Sequence, residues 1–210
     1  MRLPYGMTEV LGLGHDVVDL DGFSEQLALP GSRMHSLFSP RELRQAAMRA
    51  ELKHDSETAH LAVRWAGKEA VLKAWSQALG DRPAPYTVDD FPWAGVEILD
   101  DSRGRPGVHL REDVQSELMA SVRSGMGERA CFETDRNEEI AGGYSNNEEN
   151  CLDTGSHHTV SRLSPNEWQS EQSKGNADDI AMIWHLSVSH DGPVASAVAL
   201  LCIELFNGQE

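Results

Sequence analysis

Two carboxylates and a lysine are the residues best suited to chemistry. Asp16 sits in Gly12-Leu13-Gly14-His15-Asp16-Val17-Val18-Asp19-Leu20, on the same side of an alternating run as two glycines, which leaves room beside its carboxylate. Glu69 and Lys73 stand four apart in Arg64-Trp65-Ala66-Gly67-Lys68-Glu69-Ala70-Val71-Leu72-Lys73-Ala74-Trp75, so on a helix they share a face. A surface salt bridge is the plain explanation of that spacing. Against it, Ala62, Ala66 and Ala70 flank the same face with minimal side chains and leave space for something to lie along the helix. Lys68 falls on the stripe of Leu61, Trp65, Leu72 and Trp75, where a core residue belongs, and a charge placed there needs a partner. Asp16 and Glu69 are the ligand type that magnesium takes, one or two protein carboxylates with water and substrate phosphate completing the octahedron. Spacing alone does not pair them, and an aspartate taken singly is more often a cap, a turn or a surface residue.

The elements that must position these residues are legible in outline. Glu9 to Leu20 alternates as a strand, with Leu11, Leu13, His15 and Val17 on one side and Gly12, Gly14 and Asp16 on the other. Ser39-Pro40-Arg41-Glu42 combines an N-cap, a proline at the first helical position and a capping box, and predicts a helix from Pro40 towards Lys53. The longest helical pattern runs from Ser56 to Leu79. After a proline-rich loop from Gly80 to Pro92, strands at Val96–Leu99 and Val108–Leu110 flank a turn at Asp101–Pro106, and Glu112–Arg123 reads as a further helix. Ile180–His190 and Val194–Leu205, joined by Asp191-Gly192-Pro193, form a closing hairpin.

Between residues 124 and 179 periodicity gives way to Gly, Ser, Asn, Glu and Asp. This is read as an acidic, disordered insertion in a single domain made of residues 1–123 and 180–210. Glu112 to Asp179 carries −10 of the net charge of −16, leaving −6 for the rest. That acidity argues against nucleic acid, which needs a basic stripe to displace counterions. No apolar run approaches a membrane span, and no leader precedes the first strand, so a cytoplasmic protein is expected. Cys131, Cys151 and Cys202 are few and odd in number, and the first two, with His157 and His158, lack zinc-site spacing.

Several segments together resemble the holo-[acyl-carrier-protein] synthases. Gly14-His15-Asp16-Val17-Val18-Asp19-Leu20 resembles their opening Gly-x-Asp-hydrophobic motif, and Arg64-Trp65-Ala66-Gly67-Lys68-Glu69-Ala70 with Lys73-Ala74 resembles their Trp/Phe-Ala-x-Lys-Glu-Ala signature. His185-Leu186-Ser187-Val188-Ser189-His190 resembles their His-hydrophobic-Ser-hydrophobic-Ser/Thr-His strand, Gly104-Arg105-Pro106 their Gly-Arg/Lys-Pro turn, and Phe38-Ser39-Pro40-Arg41-Glu42 the start of their second helix. The order is correct and the motifs span the chain outside the insertion.

The resemblance implies an α+β phosphopantetheinyl transferase fold, with a small antiparallel sheet on a long helix and sheet edges closed in a homotrimer. It implies transfer of 4'-phosphopantetheine from coenzyme A to a serine of apo-acyl carrier protein in fatty acid biosynthesis. Asp16 and Glu69 would bind Mg²⁺; Lys73 and Lys68 would neutralise phosphate, with Arg64, Arg105 and His190 also contacting coenzyme A; Glu69 would accept the serine proton, and His190 is a second catalytic candidate. The family's docking arginine is missing at Asp21-Gly22-Phe23, so Arg33, Arg41, Arg44, Arg49 and Lys53 are the candidates for attracting an acidic carrier protein. A carrier-binding module without activity and a Mg²⁺-dependent nucleotide hydrolase are the alternatives, the latter weakened by the lack of a Gly-x-x-x-x-Gly-Lys-Ser/Thr loop.

Overall fold

Alternation from Thr8 to Asp19 becomes strand β1, and Asp19 ends it by accepting a hydrogen bond from the Gly22 amide at 2.7 Å, which caps helix α1, Leu20–Ala28. The computed structural model describes residues 8–124 and 180–205. Helix α1 was not expected from the sequence. Its core contacts Leu20, Phe23 and Leu27 recur at helical spacing, but Gly22 interrupts the pattern.

Helix α2 covers Pro40–Lys53 and begins with the expected capping box: the Ser39 hydroxyl accepts from the Glu42 amide at 3.2 Å, and the Glu42 carboxylate accepts from the Ser39 amide at 2.8 Å. Helix α3, Glu57–Leu79, is the spine of the molecule, with fifteen residues buried. Strands β2 (Val96–Asp100) and β3 (Pro106–Leu110) form a separate hairpin, helix α4 runs over Glu112–Ser124, and β4 (Ile180–Asp191) and β5 (Val194–Leu205) follow. The main sheet has the order β1-β5-β4, antiparallel throughout. The sequence predicts one small sheet; the structure has two, because β2 and β3 pair only with each other. The insertion from 125 to 179 lies outside the described residues.

The alanines of α3 are used differently from the expectation. Ala62, Ala66, Ala70 and Ala74 are fully buried, and together with Ala195, Ala197 and Ala199 of β5 they belong to one core between helix and sheet. The room they leave is therefore taken by the protein's own sheet. The same holds for β1, where a Cβ on Gly12 or Gly14 would run into the carbonyl oxygens of Ala74 and Ala70. Those glycines let strand and helix backbones touch, which brings Asp16 against α3.

Candidate active site

Asp16 is 7% exposed and points at α3, where the Lys73 ammonium donates to its Oδ1 at 2.7 Å and to the His15 carbonyl at 3.1 Å. Glu69, one turn earlier on α3, brings its carboxyl within hydrogen-bonding reach of Asp16. Two ionised carboxylates can only accept, and nothing bonds the buried Asp16 Oδ2. Burial and the neighbouring Asp16 raise the pKa of Glu69 to about 7, against a smaller opposing pull from Lys73.

This donor set fits a hard divalent cation. Two carboxylates converge, one of their oxygens is buried and unpartnered, and no third His, Cys, Asp or Glu joins them in a metal-binding group among the described residues. An open site with few protein ligands is what magnesium uses when substrate phosphate supplies the rest. Proton linkage gives a test. Glu69 binds its proton more tightly folded than unfolded, so its contribution to stability is fully present below pH 4.5 and is lost as pH rises through about 7. Without divalent metal, the melting temperature of wild type should therefore fall relative to that of Glu69→Gln between about pH 5 and pH 8, and millimolar Mg²⁺ should stabilise wild type more at the upper end. A wild-type minus variant difference that does not change with pH would contradict the raised pKa of Glu69.

Lys68 departs from the expectation. It is fully buried, and its ammonium donates to Glu42 Oε2 at 2.8 Å, to the Trp93 carbonyl at 2.7 Å and to the Val96 carbonyl. All three donors are used, so Lys68 ties α2 and the β2 hairpin to α3 and has none left for phosphate. Arg64 is 3% exposed and holds the His60 carbonyl, Gln45 and Asp100, with only its buried Nε lacking an acceptor. Arg105 is exposed in the β2–β3 turn and paired with Asp101.

His190 is also displaced from its expected place. In register it lies opposite Ala195, while Asp16 lies opposite Ala197, with β5 between their strands. Two strands across and two residues along is about 12 Å between Cα atoms. Within one subunit His190 is thus removed from proton transfer at the Asp16–Glu69 centre, and only a binding role remains for it there. Its ring meets that of His60, a buried residue that the sequence reading passed over because it lies on the apolar N-terminal part of α3.

With the fold and this geometry in hand, comparison with known proteins is direct. The family description "4'-phosphopantetheinyl transferase superfamily" matches residues 12–134. The chain belongs to that superfamily. It is 40% identical over 195 residues to the holo-[acyl-carrier-protein] synthase of Bifidobacterium animalis subsp. lactis, covering 91% of this chain and 97% of the relative. A second relative of that name, from Bifidobacterium adolescentis, is 53% identical over 120 residues, 54% of this chain and 79% of the relative. Among solved structures, an ACPS–CoA complex from Chronobacterium ammoniagenes superposes with a TM-score of 0.57 at 30% identity, covering 93% of this chain and 96% of that one.

Proposed function

We propose that the protein transfers 4'-phosphopantetheine from coenzyme A to a serine of apo-acyl carrier protein, giving the holo-carrier and 3',5'-ADP, in the cytoplasm and in the service of fatty acid biosynthesis. The observation that carries this reading is the meeting of Asp16, Glu69 and Lys73 at one point. In the reaction the serine oxygen forms a bond to the β-phosphorus, and the bond from that phosphorus to the oxygen of 3',5'-ADP breaks. Asp16 and Glu69 are the residues to hold Mg²⁺, which would neutralise charge on the diphosphate. Glu69, directly or through a metal-bound water, would receive the serine proton. Lys73, half exposed and with one donor still unused, faces the departing phosphate oxygens. His190 and Arg105 contact other parts of coenzyme A, whereas Arg64, buried and bonded to His60, Gln45 and Asp100, has a structural place instead of the expected contact.

The same reading includes a homotrimer. The sheet face away from α3 carries Leu13, Val17 and Val198 exposed at 50%, 56% and 37%, a row of apolar side chains that copies of the chain would cover. For the carrier protein, of the five candidate cations Arg41 and Arg49 are already paired with Glu97 and Asp100, which leaves Arg33, Arg44 and Lys53 to attract it. We assign catalysis to residues 1–123 and 180–210. No helix among the described residues is long and apolar enough to cross a membrane.

The deciding experiment incubates the protein with coenzyme A, Mg²⁺ and apo-carrier protein and weighs the carrier by mass spectrometry. A gain of one phosphopantetheine supports the transferase. Release of 3',5'-ADP with the carrier unmodified would make it a hydrolase, and neither product would leave a binding module.

A further inference from the structure

The His60–His190 contact lies outside the carboxylate centre and has a construction of its own. His60 is 5% exposed in the first turns of α3. Its Nε2 lies 2.8 Å from Oδ1 of Asp55, in the segment just before the helix, and its ring centroid is 5.8 Å from that of His190 at an interplanar angle of 84°. His54, the preceding residue, is the one non-glycine at positive φ among the described residues, and it turns the chain so that Asp55 can reach back. The carboxylate fixes the ring: with Asp55 as acceptor, Nε2 carries the proton and the orientation of the imidazole is set. The same residue's carbonyl accepts from Arg64 at 2.9 Å. Asp55, His60 and Arg64 thus form one built assembly at the α3 terminus, and His190 leans on it from the end of β4.

We propose that His60, clamped by Asp55, is a positioning residue for coenzyme A: it sets the orientation of His190, and through it the affinity for the cofactor, without touching the reacting atoms. This rests on the reading that His190 contacts coenzyme A. The groups facing His60 are Asp55 from the α2–α3 connection, Lys53 from the end of α2, Arg64 from α3 and His190 from β4. Burial lowers the proton affinity of His60 despite the pull of Asp55.

The test is a cycle of Asp55→Ala, His60→Ala and the double variant, read by steady-state kinetics on both substrates and by the NMR chemical shifts of the His190 ring at one fixed pH. His60→Ala should raise KM for coenzyme A about tenfold while leaving kcat and KM for the carrier protein within about twofold, the pattern of lost binding rather than lost chemistry. His60→Phe, which keeps a ring against His190, should recover part of the loss. The Asp55→Ala effect should vanish in the His60→Ala background, because Asp55 acts only through that ring. The His190 ring resonances should move in both single variants. An unchanged KM for coenzyme A, additive effects, or a fall in kcat with unmoved His190 resonances would overturn the inference. If His60→Ala does not fold, Asp55→Ala decides alone, by the His190 resonances and the coenzyme A KM. Loss of the proposed function would appear differently, as a wild-type protein that adds nothing to the carrier.

Discussion

Asp16→Asn and Glu69→Gln should each lower the rate of phosphopantetheine transfer on the order of 10²- to 10³-fold while the protein stays folded. The expectation follows from how little else stands at the centre. Two carboxylates and one ammonium are the charged groups brought together there, and removing either carboxylate takes away half of the anionic ligand set. Under the proposed mechanism the variants should also be non-additive, with the double variant little worse than either single one, because both carboxylates would act through one cation. Glu69→Gln has a second signature: it removes a carboxyl whose pKa burial and the neighbouring Asp16 raise to about 7, so metal-free variant protein should be more stable than wild type above about pH 7 even as activity falls. Lys73→Met should cost less, since half of that side chain is exposed and it contributes charge rather than a ligand. Transfer rates measured at saturating Mg²⁺ check the series. A loss below about tenfold in either carboxylate variant would remove the pair from the reaction.

The largest effect on stability is expected at Glu42. Its carboxylate is fully buried and accepts at once from the Ser39 amide, the Ile98 amide at 2.9 Å and the Lys68 ammonium. Glu42→Ala strands a buried ammonium and leaves two main-chain donors without their acceptor, and should cost about 3–5 kcal/mol in urea denaturation. Pairing Glu42→Gln with Lys68→Met should recover a substantial part, because the amide can still cap α2 while no charge is left unpaired inside. The comparison separates two views of Lys68. If the lysine served phosphate, Lys68→Met would abolish transfer with little change in stability. The buried geometry predicts that, in the Glu42→Gln background, activity survives wherever the fold does.

These outcomes also mark how far local pattern reaches. The capping box at Ser39 and Glu42 and the extent of α3 are written in neighbouring residues, so they are legible before any coordinates. The need of Lys68 for a partner is legible too, but the identity of Glu42 is not, because the two meet only through the packing of α2 on α3. Misreading the α3 alanines has the same origin: a small residue says that something comes close, not what. His190 was expected near the carboxylates because the motif ends there, and only the strand order, with β5 between β1 and β4, separates them. The pairing of Asp16 with Glu69 came from family resemblance, since nothing in their spacing requires it.

The glycine contacts of β1 bear on how this centre can change over time. Strand and helix are held apart by main-chain atoms at Gly12 and Gly14, with no side chain acting as a spacer. Drift among the apolar residues can loosen or tighten other parts of the molecule, yet the gap across which the two acids face one another has no adjustable part. Changes in peripheral loops and surface charge would leave the spacing of β1 and α3, and with it the placement of Asp16 and Glu69, as it is.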